Sequence, residues 1–288
     1  MTVRYHRVGI AGTGRVARAM ALALAPRSAE PVLIWGRSPD QAQAAASAVG
    51  ATIAQACVEL AAHCDLILLA VADDALAAVV ADLAGALSPG AEPFVCHVSG
   101  GSGAAILASL RDRGALTAAV HPAMTFTGDP ALEMERMTGA HFAITAPDAE
   151  ALAEARTLVG RLGGIAVEIA EERRPLYHAA LSHAANHLVT LLAGASQALR
   201  VAGADEPEAL LAPLVGAALE NSLERGFDAL SGPLLRGDAD MIRGHIAALA
   251  RDCPELLPAY RAMALATLDE LGRSGKAPAP ELRAIVGG

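Results

Sequence analysis

Gly9-Ile-Ala-Gly12-Thr-Gly14-Arg-Val-Ala17 is the stretch on which the fold turns. The run Arg7–Ala11 predicts a short buried strand, and the glycines after it predict a tight turn into a helix. Each small residue has its own physical reason. Gly12 permits the turn, Gly14 lets a pyrophosphate approach the backbone, and Ala17 lets the helix pack close to the strand. Amides at the start of that helix then face the phosphates. The expected nucleotide contacts are therefore Gly12, Thr13, Gly14, Arg15, Val16 and Ala17. An ordinary glycine turn is the alternative. The strand before, the helix after and the spacing to the next strand all favour the nucleotide site.

That next strand, Val32–Gly36, runs into Trp35-Gly36-Arg37-Ser38. An NAD site would place Asp or Glu here to hold the ribose 2′-hydroxyl. A guanidinium and a hydroxyl suit a 2′-phosphate instead, which makes NADP the expected cofactor and Arg37 and Ser38 its markers. Asp40 pulls the other way, and a solvated loop arginine is the competing reading. The third strand, Asp65–Val71, ends in Val71-Ala72-Asp73-Asp74. Val71, Ala72 and Asp73 are expected beside the cofactor. Asp73 or Asp74 either borders the adenosine or caps the helix that follows.

Working outward, Phe94–Val98 and Ala118–His121 continue the alternation of short apolar strands with alanine-rich helices. His141–Thr145 and Ala166–Ala170 follow, joined by a helix over 148–162. This pattern predicts an α/β protein with a doubly wound, mostly parallel sheet. After Glu171 strand signals stop. Helices are expected over Arg174–Ala202, Pro207–Arg225, Asp238–Asp252 and Pro254–Gly272, and the Gly- and Pro-rich tail from Ser274 is expected to fray. Two domains result, a Rossmann domain over 1–170 and an all-helical one over 171–288.

Composition narrows the partners. The 288 residues are 53% apolar but only 3% aromatic, which suits close-packed helices better than a large aromatic-lined cavity. A net charge of −9 with no basic run repels a phosphate backbone, so nucleic acid is not an expected partner. No apolar stretch reaches the roughly 20 residues a membrane span needs. The start reads as a strand, not a signal peptide. The four cysteines form no Cys-x-x-Cys pair and read as reduced, so a cytoplasmic protein is expected.

Two further strand ends carry polar chemistry, His97-Val-Ser99-Gly100-Gly101 and His121-Pro122. Ser99 is expected near the nicotinamide. His121 is either functional or a buried, hydrogen-bonded core histidine. The long helix contributes His178, Ser182 and Asn186 at i, i+4, i+8, which places them on one face. A polar outer face would look the same. His183 and His187 have metal-ligand spacing, but no partner ligand is identifiable and no metal is expected. Arg236-Gly-Asp238 reads as a turn with Asp238 capping the next helix.

Taken together, Gly12-x-Gly14-x-x-Ala17, Trp35-Gly-Arg37-Ser38, His97-Val-Ser99-Gly100, His121-Pro-x-x-Thr-Phe126, the Tyr177–Asn186 helix and Leu230-Ser-Gly-Pro-Leu-Leu-Arg-Gly-Asp238 resemble bacterial Rossmann-like proteins with a C-terminal DUF2520 domain. That group is similar in architecture to the 6-phosphogluconate dehydrogenase superfamily, with its β-hydroxyacid dehydrogenases, ketopantoate reductase and pyrroline-5-carboxylate reductase. The resemblance implies a helical second domain that often dimerises, and no settled substrate; the expectation is a homodimeric, NADP-dependent oxidoreductase acting on a small polar metabolite such as a keto acid, hydroxy acid or imine. One departure stands out. Ser182 occupies the place of the dehydrogenases' catalytic lysine, while Asn186 keeps the place of their asparagine. Ser182 and Asn186 would orient substrate. Proton transfer would fall to His121 or His178, whose ordinary pKa near 6.5 suits it. The alternative is an NADP-binding sensor or interaction protein that has lost hydride transfer.

Overall fold

In the computed structural model, which describes residues 5–276 and 278–288, the glycine turn joins strand β1 (Val8–Ala11) to helix α1 (Arg15–Leu24). The alternation continues through β2 (Leu33–Trp35), α2 (Pro39–Val49), β3 (Thr52–Ile53), α3 (Val58–His63), β4 (Leu66–Leu69), α4 (Asp73–Ala86) and β5 (Phe94–His97). A short helix α5 (Ala108–Arg111) leads to β6 (Leu116–Pro122), then α6 (Pro130–Met137), β7 (His141–Thr145), α7 (Ala149–Arg161) and β8 (Ile165–Glu168). The sheet order is β3-β2-β1-β4-β5-β6-β7-β8, and every pairing is parallel except β6 with β7. This is the α/β, doubly wound, mostly parallel sheet the alternation predicts. The two-residue β3 escapes sequence reading because so short a strand shows no periodicity.

Each face of the sheet has its own core, because successive side chains point to opposite sides. Along β4, Leu66 and Leu68 pack with α1 and α7 residues such as Met20 and Leu158. Ile67 and Leu69 join Leu76, Val80 and Leu83 of α4 on the other face. Burial on both faces explains why these strands read as continuous apolar runs. The order around β1 makes its carboxyl end a switch point: the chain leaves toward β2 on one side and returns at β4 on the other. Crevices of such sheets form there.

The chain divides into two compact units, Met1–Ser182 and His183–Gly288, and the division falls within α8 (Arg174–Val201). The first turns of α8 fold with the sheet, since Arg174 bonds carbonyls of Ser99, Ser102 and Ala143. The second unit continues with α9 (Pro207–Arg225), α10 (Pro233–Arg236), α11 (Ala239–Asp252), α12 (Leu257–Arg273) and α13 (Pro280–Gly287). Asp238 caps α11 by accepting from the Met241 amide, as its position after the turn predicts. The tail is a correction. Instead of fraying throughout, it forms α13, which buries Leu282 and Val286 with Ile242, Leu268 and Leu271. Pro280 sits in the first turn, where a missing amide hydrogen costs nothing, and the i, i+4 apolar pair supplies a packing stripe.

Candidate functional site

The switch point holds a cavity of about 310 Å³. Its floor is Gly12, Thr13 and Gly14. One wall is Trp35, Gly36, Arg37, Ser38 and Gln41, and the other is Val71, Ala72, Ala75 and Val79. Gly12 and Gly36 are obligatory for close packing. Gly12 has φ +132°, and a Cβ there would lie 2.2 Å from the Ala70 carbonyl oxygen. A Cβ on Gly36 would lie 2.4 Å from Thr13 Cγ2, whereas one on Gly14 would meet nothing within 4 Å. Gly14 therefore faces open space at the N-cap of α1, where the first amides of a ten-residue helix lack intrahelical partners. That combination fits a dinucleotide phosphate.

The other expected contacts divide. Ala17 is fully buried and lets α1 lie close to the sheet, and Val16 packs against the same core. The Arg15 side chain is exposed and donates to the Phe126 carbonyl at 3.1 Å. Arg37 is exposed and makes no ion pair among the described residues. Ser38 is the N-cap of α2, its Oγ accepting from the Gln41 amide at 3.4 Å, which leaves its hydroxyl hydrogen available. Asp40 lies in the first turn of α2 beside them. Asp73 and Asp74 begin α4 and are exposed. The N-cap position belongs to Ala72, and neither aspartate caps the helix through its side chain. Trp35, Gln41, Ala75 and Val79 were not among the expected contacts. The i, i+4 spacing of Ala75 and Val79 on one face of α4 was the available signal.

A second cluster lies at the ends of β5 and β6, within the first unit. His97 is fully buried. Its Nδ1 accepts from the Ser99 amide at 3.2 Å, so its Nε2 carries the hydrogen and donates to the Gly103 carbonyl at 2.8 Å. Ser99 Oγ accepts from the Ser102 amide at 3.2 Å. The loop Ser99–Gly103 is clamped from the far side of the sequence. Glu171 accepts from the Ala104 and Ala105 amides at 2.8 and 3.2 Å. Arg174, 0% exposed, donates to the carbonyls of Ser102 at 2.9 Å, Ser99 at 2.7 Å and Ala143 at 3.3 Å. The glycines make room for this clamp, since a Cβ on Gly103 would lie 2.2 Å from the Glu171 carboxylate.

Beside that loop the structure brings His121 and His178 together, with ring centroids 6.1 Å apart. Both pack on Gly100, whose Cβ would lie 2.6 Å from His178 Cδ2 and 3.0 Å from His121 Nε2. His121 Nδ1 is 2.9 Å from the Tyr177 hydroxyl, and the two rings meet edge to face. Burial first, then the Arg174 and His178 charges, push His121 down to about 4 against the pull of Asp73. At neutral pH its ring is uncharged, so the ordinary value near 6.5 expected from sequence does not apply. Burial likewise lowers His97. Tyr177, Arg174, Glu171 and His97 were not among the expected site residues. Arg174 follows a turn and looks like any surface arginine until the sheet closes over it.

Ser182 and Asn186 continue the His178 face of α8, four residues apart. Ser182 is half-buried and ends the first unit; Asn186 is exposed and belongs to the second. His183 and His187 face each other, Nδ1 to Nδ1, at 2.9 Å, and the described residues hold no group of three or more metal-ligating side chains.

Known proteins can now be set beside this geometry. Residues 2–122 match the Rossmann-like domain family, and residues 140–267 match the domain of unknown function DUF2520. No match is found among curated proteins. Among solved structures, a candidate NADP oxidoreductase from Bacteroides fragilis superposes with a TM-score of 0.75 at 20% identity, over 91% of this chain and 98% of that one. A reductive aminase from Aspergillus terreus, solved with NADPH and ethyl-5-oxohexanoate, gives 0.68 at 18% identity, covering 98% of both chains. An imine reductase variant from Myxococcus stipitatus, solved with NAD+, gives 0.60 at 16%, over 98% of this chain and 99% of that one. At these identities the likeness is one of fold.

Proposed function

We propose that this chain, which joins a Rossmann-like domain to a DUF2520 domain, is an NADP-dependent oxidoreductase moving hydride to or from a C=N or C=O carbon of a small polar metabolite. One observation carries the reading: a glycine-floored cavity ends in an arginine without an ion-pair partner and a hydroxyl at a helix N-terminus. Amides of Thr13, Gly14 and their neighbours would hold the pyrophosphate. Arg37 and Ser38 would hold the 2′-phosphate by charge-assisted hydrogen bonds. The bound nicotinamide supplies hydride. Ser99 and Ser182 serve to orient the cofactor and substrate, and His121 and His178 form the proton-handling side of the site. Structural neighbours that bind NADPH with a keto ester support this substrate class.

The second unit supports a homodimer. Its α11–α13 core is small, and Val189, Leu214 and Leu223 of α8 and α9 are 69%, 62% and 81% exposed. Exposed apolar side chains in such number favour a cover, and a second copy supplies one by symmetry. Light scattering on the purified chain is expected to give twice the monomer mass. Among the described residues no helix is long and apolar enough to cross a membrane.

The test is a fluorescence titration with NADPH and NADH, followed by absorbance loss at the NADPH band across keto acids and cyclic imines. Preferential NADPH binding with turnover of at least one panel member is the expected result. The serine at position 182 favours a second reading, a sensor without hydride transfer. Tight NADPH binding, no turnover and a ligand-dependent change in oligomeric state would establish that reading instead.

A further inference from the structure

Adding hydride to a C=N or C=O carbon leaves an electron pair on nitrogen or oxygen that must take up a proton. An uncharged imidazole gives up its ring hydrogen only if its other nitrogen gains one in the same step, so His121 by itself in its neutral state is not the source. Resting on the hydride-transfer reading, we propose that the Tyr177 phenol is the proton donor of this site, with Arg174 as the buried charge that stabilises the phenolate and His121 as the partner through which it is reprotonated.

Three geometric facts support this. The Tyr177 hydroxyl is 2.9 Å from His121 Nδ1, so phenol and imidazole already share a hydrogen bond. The Arg174 guanidinium carbon lies 5.5 Å from the Tyr177 ring centroid. Arg174 is held by three carbonyls and forms no ion pair among the described residues, so its charge is not cancelled by a contacting carboxylate. Glu171, the carboxylate whose charge acts on Arg174, spends both oxygens on the Ala104 and Ala105 amides. A phenolate formed beside Arg174 therefore meets a fixed positive charge in a half-buried setting, where Coulomb attraction is stronger than in water.

The proton accounting closes. As the substrate nitrogen or oxygen forms its new bond to hydrogen, the Tyr177 O–H bond breaks and its electron pair stays on the phenolate oxygen. His121 then passes its Nδ1 hydrogen to that oxygen while Nε2 takes one from solvent, and the ring stays neutral throughout. In the reverse reaction each transfer runs backward. The donor is also matched to its task. Phenols and alkylamines titrate in the same alkaline range, so a newly formed amine is a base of the right class to take a phenol's proton. Burial raises the Tyr177 phenol and Arg174 pulls it down, with burial the larger effect. The group holds its proton through the neutral range until the substrate atom becomes basic. The charged and titratable neighbours are His121 and His97 from the sheet, Arg174 and His178 on the same helix, Glu171 in the turn before it, and Asp73 from α4, which acts on His121.

The chain has three tyrosines, so an ultraviolet difference titration of wild type against Tyr177→Phe isolates the Tyr177 phenolate band. Arg174→Gln is expected to move its midpoint up by about one unit or more, and Arg174→Lys to leave it nearer wild type. An unchanged midpoint in folded Arg174→Gln overturns the proposal. Tyr177→Phe keeps the ring and decides the matter even if Arg174→Gln fails to fold. With a panel substrate its kcat is expected to fall about 100-fold, with KM and NADPH affinity within twofold of wild type. A kcat within threefold of wild type overturns the proposal. Wild type that turns over no panel substrate removes the hydride-transfer reading, while the titration still reports whether Arg174 acts on the phenol.

Discussion

The glycine-floored cavity and the histidine–tyrosine cluster stand at the carboxyl ends of the same sheet, yet they are built on opposite principles. The cavity is floored by backbone, with Gly12, Thr13 and Gly14 adjacent in the chain and no side chain larger than threonine. The cluster is built from side chains of three separate segments gathered around a buried cation. At Gly12 the backbone site tolerates no added atom, because the Ala70 carbonyl it would meet cannot step aside. A side-chain site can adjust its packing but loses its chemistry when one charge is removed.

One added methyl group in each region puts that contrast to its hardest test. In Gly12→Ala the new Cβ meets a backbone carbonyl at a positive φ, and both problems are fixed in place. We expect a loss of about 4 kcal/mol in stability, strain and overpacking combined, and no measurable NADPH binding by fluorescence. In Gly100→Ala the Cβ meets the ring atoms of His178 and His121. The exposed His178 can swing aside, so stability is expected to fall by only about 1 kcal/mol in urea denaturation. Equal losses in the two variants would break the comparison.

The next largest effect belongs to the cluster. Arg174→Met leaves three carbonyls without their donor and frees the Ser99–Gly103 loop. At about 1 kcal/mol or more for each orphaned acceptor, a destabilisation of about 3 kcal/mol is expected from urea midpoints.

Acid should also single out the cluster. His121 is held at about 4 in the folded protein, against about 6.5 unfolded. Between those values the unfolded chain binds more protons, so stability is complete above pH 6.5 and is lost as pH falls toward 4. From His121 alone the loss is about 2 kcal/mol at pH 5 relative to pH 7. His121→Gln should flatten that part of the stability profile, and an unchanged slope would sink the assignment.

The smallest expected change lies in the cavity's single charged wall. Arg37→Ala should weaken NADPH by about tenfold relative to NADH, the worth of one exposed charge-assisted contact. Unchanged discrimination between the two cofactors would move the 2′-phosphate elsewhere.

These contrasts also explain which features could be read from the residues in order. The glycine turn, the Arg37-Ser38 pair and the Asp238 cap each act over a few positions, so spacing alone carries the signal. The tail was misread for a related reason. Gly and Pro near the C-terminus suggest fraying, but Leu282 and Val286 become informative only once α11 and α12 provide a surface to bury them. Arg174 stayed hidden because an arginine at a helix start carries no period or motif, and Tyr177, though inside a resembling helix, carries no sign of its partners. Their partners lie 75 and 56 residues away.

By itself, then, the sequence determined the strand–turn–helix with its glycine turn, the α/β sheet and the Arg37-Ser38 start of the second helix. All of these are local conformational demands of Gly, Ala, Pro and short apolar runs. Only the tertiary structure decided that His121 is uncharged, that a phenol is bonded to it and that a buried guanidinium lies beneath. Those properties come from desolvation and Coulomb interaction between distant segments, and neither exists until the sheet brings them together.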